Sequence, residues 1–254
     1  MAEQVERAPL LPSSADSSPP PKYLDMVPTT RDKVSLASVV LGLVLFLPLT
    51  WYMVFSADLN ALGWFALHPP MQSLAITAFI LGIPSSFLCI PSSLTLCSGI
   101  TPLQPSTSSS DLRKKRLATH QTLLLGLALP ALAVGTAGMW WNKHVHGAKH
   151  FTTWHSWFGV ACVVQALIGG ASVWFGGKLF GGESKARKVY KYHRLSGYLL
   201  ITLALLTAHL GGAHSSWALG NSAQSVRVVA FWIGLPLVWI GLEARSRPSK
   251  MKFL

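Results

Sequence analysis

Charge is what this sequence most lacks. Only 9 of its 254 residues are Asp or Glu, and charged residues make up 12% against 50% hydrophobic. A soluble domain carries about a quarter charged residues, so an ordinary water-exposed surface is excluded. Cysteine is scarce too. Cys89, Cys97 and Cys162 fit no CxxC or metal spacing and imply no disulfide framework; they read as small apolar packing residues. Runs of alternating apolar and polar residues are missing, which argues against a membrane β-barrel. Gly176–Gly182 holds a lysine among glycines, but no strand precedes it and no Gly-Lys-Ser/Thr occurs, so it is not a phosphate loop. The N-terminal stretch lacks the charged, apolar and cleavage regions of a signal peptide, so the first apolar run is expected to stay as an anchor.

What is present is a set of six long apolar runs: Val34–Phe55, Pro69–Ile90, Leu117–Trp141, Thr152–Phe175, Leu195–Ala213 and Val226–Leu242. A helix needs about 20 apolar residues to cross a bilayer, and these runs predict an all-α membrane protein with six transmembrane helices. Pro48, Pro84, Pro130 and Pro236 lie inside them, as membrane helices tolerate. The net charge of +12 raises the question of nucleic acid, but its distribution answers otherwise. All but three of the 21 Lys and Arg residues fall on the side of the N-terminus; the exceptions are Lys143, Lys149 and Arg227. This is the positive-inside pattern and places both termini in the cytosol.

Residues 1–33 are polar and rich in Pro and Ser, and are expected to be a disordered cytosolic tail. Within them Glu6–Leu11 resembles an acidic dileucine sorting signal, which favours a vacuolar, lysosomal or other endomembrane over the plasma membrane. Residues 34–244 form the six-helix domain and 245–254 a basic cytosolic tail. Residues 98–110 are a Ser/Thr/Pro-rich loop that ends in Arg113, Lys114, Lys115 and Arg116. These four serve as a helix stop or bind an anion, as do Lys185, Lys188 and Lys191 in the next cytosolic loop.

Four runs open with a histidine: His68, His120, His155 and His193. Alternating topology puts His68 and His155 in the outer half of the bilayer and His120 and His193 in the cytosolic half. In an up-down bundle of helices two to five each pair is diagonal. With axes about 8–10 Å apart the diagonal is roughly 13 Å, a gap that better suits two imidazoles on opposite faces of a haem than two on a bare ion. The expected arrangement is two haems b per chain, each with both axial positions filled, a state suited to one-electron transfer. Trp154, Trp157 and Phe158 either pack the outer haem or form an interfacial belt. In the fifth run, His209 lies about 160° around the helix from His193, whereas His214 is nearer the His193 face and is the better alternative ligand. His144, His146 and His150, with His155, present a loop group whose spacing matches no zinc signature.

The stretches His68–Met71, Arg116–His120, His150–Trp157 and Tyr192–Tyr198 resemble the cytochrome b561 family. The resemblance spans residues 34–244. It implies six helices, iron ligation by the pairs His68/His155 and His120/His193, a cytosolic ascorbate donor, and an outer acceptor such as monodehydroascorbate or a ferric chelate. It also implies a homodimer and extends to His150, which would meet the acceptor. In ascorbate-recycling members the second helix ends in a basic, aromatic-rich stretch; here Pro84–Leu96 contains no basic residue. Arg113–Arg116 and Lys185–Lys191 are the candidate replacements. Two other readings compete: a b-type cytochrome subunit with another donor such as quinol, and a non-redox transporter or scaffold whose histidines relay protons.

Overall fold

The computed structural model describes residues 30–81, 110–179 and 183–245, in which every regular element is helical. The side chains of 110–116, 173–179, 183–191 and 245 fall outside that description, as do Pro84–Leu96, Cys89 and Cys97. Helix α1 is Thr30–Phe55. The short α2 (Leu59–Leu62) and a 3₁₀ turn, Gly63–Leu67, lead into α3 (His68–Leu81). α4 (Ser110–Leu123) continues through a π turn, Leu124–Ala128, into α5 (Leu129–Val145). α6 is Trp154–Leu179, α7 Glu183–His214, and α8 the short Ser216–Asn221. α9 (Gln224–Arg227) passes through a second π segment, Val228–Gly234, into α10 (Leu235–Arg245).

Four of these stretches are long and apolar enough to cross a membrane: Thr30–Phe55, Leu117–Val145, Tyr192–His214 and Gln224–Ala244. At most 39% of any one of them is buried within the protein, so most of their apolar surface faces outward. Leu41, Leu167, Ile168, Leu199 and Ile240 are all more than half exposed. In water such a surface would drive aggregation; against hydrocarbon it is at equilibrium. This is a multi-pass membrane protein.

Both π segments have a cause in the sequence. Each ends two residues before a proline, Pro130 in one case and Pro236 in the other. A proline has no N–H to give the carbonyl four residues back, and its ring crowds that carbonyl. The helix widens upstream of the proline, as membrane helices can where neighbours take up the freed groups. The positions of the other turns are also local. Asp58 caps α2 by accepting from the Asn60 and Ala61 amides at 2.9 and 3.4 Å, and Ser215 caps α8 through the Ala218 amide at 3.2 Å.

α3, α4–α5, α6 and α7 pack round a ring, α3 on α5, α5 on α6, α6 on α7 and α7 on α3; α1 and the α9–α10 segment lie together along one side. Lipid is as apolar as leucine, so membrane helices associate through close packing and hydrogen bonds. The α1–α10 seam uses glycine. A Cβ at Gly42 would fall 2.5 Å from the Gly234 carbonyl oxygen, and one at Gly241 would fall 2.7 Å from that of Ser35. Polar ties join the other helices. Trp51 Nε1 donates to Ser73 Oγ at 3.1 Å, linking α1 to α3. Gln72 Nε2 donates to the Leu132 carbonyl and to Thr136 Oγ1, linking α3 to α5. Gln165 Nε2 donates to the carbonyl and hydroxyl of Ser196, linking α6 to α7.

Because Gly241 meets backbone, which cannot rotate away, Gly241→Leu should force α1 and α10 apart and lower stability by about 1–3 kcal/mol. Thermal unfolding in detergent measures this. Neither helix carries a paired histidine, so the variant should keep the wild-type absorption spectrum below its own Tm. An unchanged Tm would mean the seam contributes nothing.

Candidate functional site: paired histidines at two levels of the bundle

Histidine pairs form at two levels of the ring. The imidazoles of His68 (α3) and His155 (α6) have centroids 5.9 Å apart and planes at 86°. Those of His120 (α4) and His193 (α7) are 6.5 Å apart, also at 86°. The four residues are half-buried. The levels are well separated. His155 bonds Thr207, 14 residues beyond His193 on α7; His68 bonds Gly135, 15 residues beyond His120; Ser172, beside His193, is 17 residues beyond His155 on α6. At 1.5 Å per residue the three paths give about 21–25 Å, most of the way across a hydrocarbon core of about 30 Å.

Each level is anchored from behind. His68 Nδ1–H donates to the Gly135 carbonyl at 3.0 Å and His155 Nδ1–H to the Thr207 carbonyl at 2.8 Å. A carbonyl can only accept, so these bonds fix the tautomer and leave Nε2 with its lone pair. At the other level the Ser172 hydroxyl spends its hydrogen on the Gly169 carbonyl at 2.7 Å and so accepts from His193 Nδ1–H at 3.4 Å. This is how a metal-ligating imidazole is usually held. Glycines make the reach short. A Cβ at Gly211 would sit 2.6 Å from His155 Cε1, and one at Gly135 would sit 2.9 Å from Gln72 Nε2 and 3.0 Å from Met71 Cβ. The π turn Leu124–Ala128 begins one turn after His120 and sets the phase between that histidine and Gly135.

The donor set decides what these pairs suit. Two imidazoles trans across one metal, with bonds of about 2 Å and about 1.1 Å from nitrogen to ring centre, have centroids about 6.2 Å apart; 5.9 and 6.5 Å bracket that value. This spacing is the same for a bare ion and for a haem, because a macrocycle adds width across the axis and nothing along it. The diagonal distance between helices therefore does not distinguish the two. Coordination number does. A bare zinc-type ion wants four protein-side ligands, and among the described residues no three His, Cys, Asp or Glu groups converge. A pair of imidazoles completes a haem, whose ring supplies the other four nitrogens. The residues present fit that group.

The remaining sequence candidates are placed differently. His214 does not join the His193 face: its ring lies 5.2 Å from His209 and 5.7 Å from Trp232, at the far end of α7. Trp232 stands between the two imidazoles and draws both to one side, which overrides the helical angle between them. His150 lies 6.2 Å from Trp140 and 5.9 Å from Phe151. His144 stacks flat on Trp140, 5.5 Å away with 3° between the planes, and His146 Nδ1–H donates to the Asn142 carbonyl at 2.7 Å. They form no cluster with His155. Trp154 and Trp157 are 71% and 57% exposed, so they act as an interfacial belt rather than as walls of the histidine site. Arg113–Arg116, Lys185, Lys188 and Lys191 lie on α4 and α7, with their side chains outside the described part. The Gly135, Thr207 and Ser172 acceptors were not foreseeable, because a backbone carbonyl has no residue signature; a glycine pair at 211–212 facing a histidine was the one available hint.

A multi-pass helical membrane protein with facing imidazoles at two depths belongs to the class of intramembrane b-type cytochromes. Residues 93–219, half of the chain, match the family described as eukaryotic cytochrome b561. The chain belongs to that family, whose members are haem b-binding transmembrane oxidoreductases that transfer electrons. The match contains His120, His155 and His193, and His68 lies on its N-terminal side. No curated protein matches the chain.

Gly211 provides a test of the α7 anchor. Gly211→Val should displace His155 and disturb the absorption of the His68/His155 level while leaving the His120/His193 level as it is. Low-temperature spectra of the reduced protein resolve this; an unaltered spectrum would show that α7 does not position His155.

Proposed function

We propose that this protein moves single electrons across an endomembrane, from cytosolic ascorbate to monodehydroascorbate or a ferric chelate on the other side. In this reading six helices span the bilayer with both termini in the cytosol. Helices α3 to α7 hold two haems b, one between His68 and His155 on the outer side and one between His120 and His193 on the cytosolic side. The observation that carries the reading is the pair of trans-spaced imidazoles at two depths, in a chain of this family.

A haem with both axial sites filled supplies outer-sphere one-electron transfer and little else. The chain does the rest. Its Nδ1–H anchors hold each imidazole in one tautomer and one orientation, so little need rearrange when the iron charge changes. Its apolar helices exclude water from the levels between. Positive charge from Arg113–Arg116 and from Lys185, Lys188 and Lys191 draws the ascorbate anion to the cytosolic face, in place of the basic stretch missing from Pro84–Leu96. On the outer side His150, held near Trp140, guides the acceptor. An acidic dileucine signal at Glu6–Leu11 would direct the protein to a vacuolar or lysosomal membrane. The charge placement also distinguishes this reading from a quinol-linked cytochrome, since a neutral quinol would gain nothing from a basic cytosolic face.

A pyridine haemochrome assay on fully loaded protein should give two haems per chain; one or none would end the proposal. His155→Ala and His120→Ala should remove different spectral components, and loss of the same component from both would refute the pairing. Reduction by ascorbate should slow as salt rises towards 0.1 M and beyond, where charges more than about 10 Å apart are screened. Neutralising Lys185, Lys188 and Lys191 should raise the ascorbate concentration needed. A rate indifferent to both changes would place the donor elsewhere. In vesicles loaded with ascorbate, His150→Ala should keep both haems and normal inner reduction but pass electrons to external ferricyanide more slowly. Equal outward rates would remove His150 from the acceptor site.

A further inference from the structure

A third pair of imidazoles lies outside the two levels already described. His209 and His214, on the last turns of α7, have ring centroids 5.2 Å apart with 67° between their planes. The arithmetic that fits the other pairs to a trans arrangement does not fit this one. With each centroid about 3.1 Å from a bound metal, trans ligation requires about 6.2 Å and a tetrahedral angle about 5.1 Å. We propose that His209 and His214 form a binding site for a tetrahedral divalent cation of the zinc class, with two coordination positions left to water or to a ligand that arrives with the metal.

The surroundings prepare the pair for this. In the π segment a carbonyl looks five residues ahead for its amide, and for Phe231 that residue is Pro236, which has no N–H. His209 Nδ1–H donates to the Phe231 carbonyl at 3.1 Å instead, which leaves His209 Nε2 as a lone-pair donor. His214, the last residue of α7, is exposed, so an ion has a way in. Trp232 lies 4.5 Å from His209 and 5.7 Å from His214 and holds both rings on one side of the helix. His155 meets α7 at Thr207 and Gly211, whereas His209 and His214 turn towards the π segment. The pair is thus separate from the electron-transfer ligands, and the inference does not depend on the proposed donor or acceptor. With no third protein ligand among the described residues, the site is open, as exchangeable and substrate-bearing zinc sites are.

The test uses the full chain, loaded with haem, in detergent. Isothermal titration with Zn²⁺ should show one site per chain in the wild type. His209→Gln and His214→Gln should each weaken it at least about tenfold, while His144→Gln/His146→Gln should leave it unchanged. All variants should keep the wild-type haem spectrum, which verifies the fold. Zinc K-edge absorption of the wild type, which requires no variant, should show four ligands with two imidazoles. An oxygen-only six-coordinate zinc, full affinity in His214→Gln, or loss of the site in His144→Gln/His146→Gln would each overturn the proposal.

Discussion

The hydrogen bond from a histidine Nδ1–H to a helix carbonyl is the interaction on which this molecule turns. In hydrocarbon an unpaired N–H costs several kcal/mol, with no water to relieve it. An imidazole inside the bundle must therefore find an acceptor on a neighbouring helix, and that acceptor must come within about 3 Å. His68 finds Gly135 on α5 and His155 finds Thr207 on α7. The requirement brings α3 against α5 and α6 against α7. The same two contacts are reinforced by the amides of Gln72 and Gln165. Ligand orientation and helix packing are thus one constraint, and a residue such as Gly211 serves both.

Proline and histidine are coupled in the same way. Pro130 and Pro236 deprive upstream carbonyls of their partners, and the helix answers with a π segment. Near His120 this adjusts the phase between one histidine and the carbonyl that anchors another. Near His209 it frees the Phe231 carbonyl to accept from an imidazole. A residue that would weaken a soluble helix becomes, in lipid, a means of creating an acceptor where a polar side chain needs one. The glycine seam between α1 and α10 plays a simpler part. It closes the ring of histidine-bearing helices from one side without supplying ligands.

Much of this was legible in one dimension. Low charge, long apolar runs and one-sided basic loops specify a multi-pass helical protein because the bilayer permits few alternatives. A histidine at the start of four runs gives two depths by alternation alone. The reach of the Lys and Arg side chains near the cytosolic ends cannot be read in this way, since long flexible cations take their positions from whatever they meet. Nor could the distance between helices separate a haem from a bare ion; that distinction needed the number of donors that converge.

The sequence by itself determined the class of fold, the membrane setting and the order in which His68, His120, His155 and His193 appear, because each follows from hydropathy and alternation along the chain. The tertiary structure alone decided which nitrogen each imidazole presents, since that depends on a carbonyl 52 or 67 residues away. It also decided the fate of His214. A helical wheel places that side chain near the His193 face, but the wheel knows nothing of Trp232, which packs beside it from another helix and turns it towards His209.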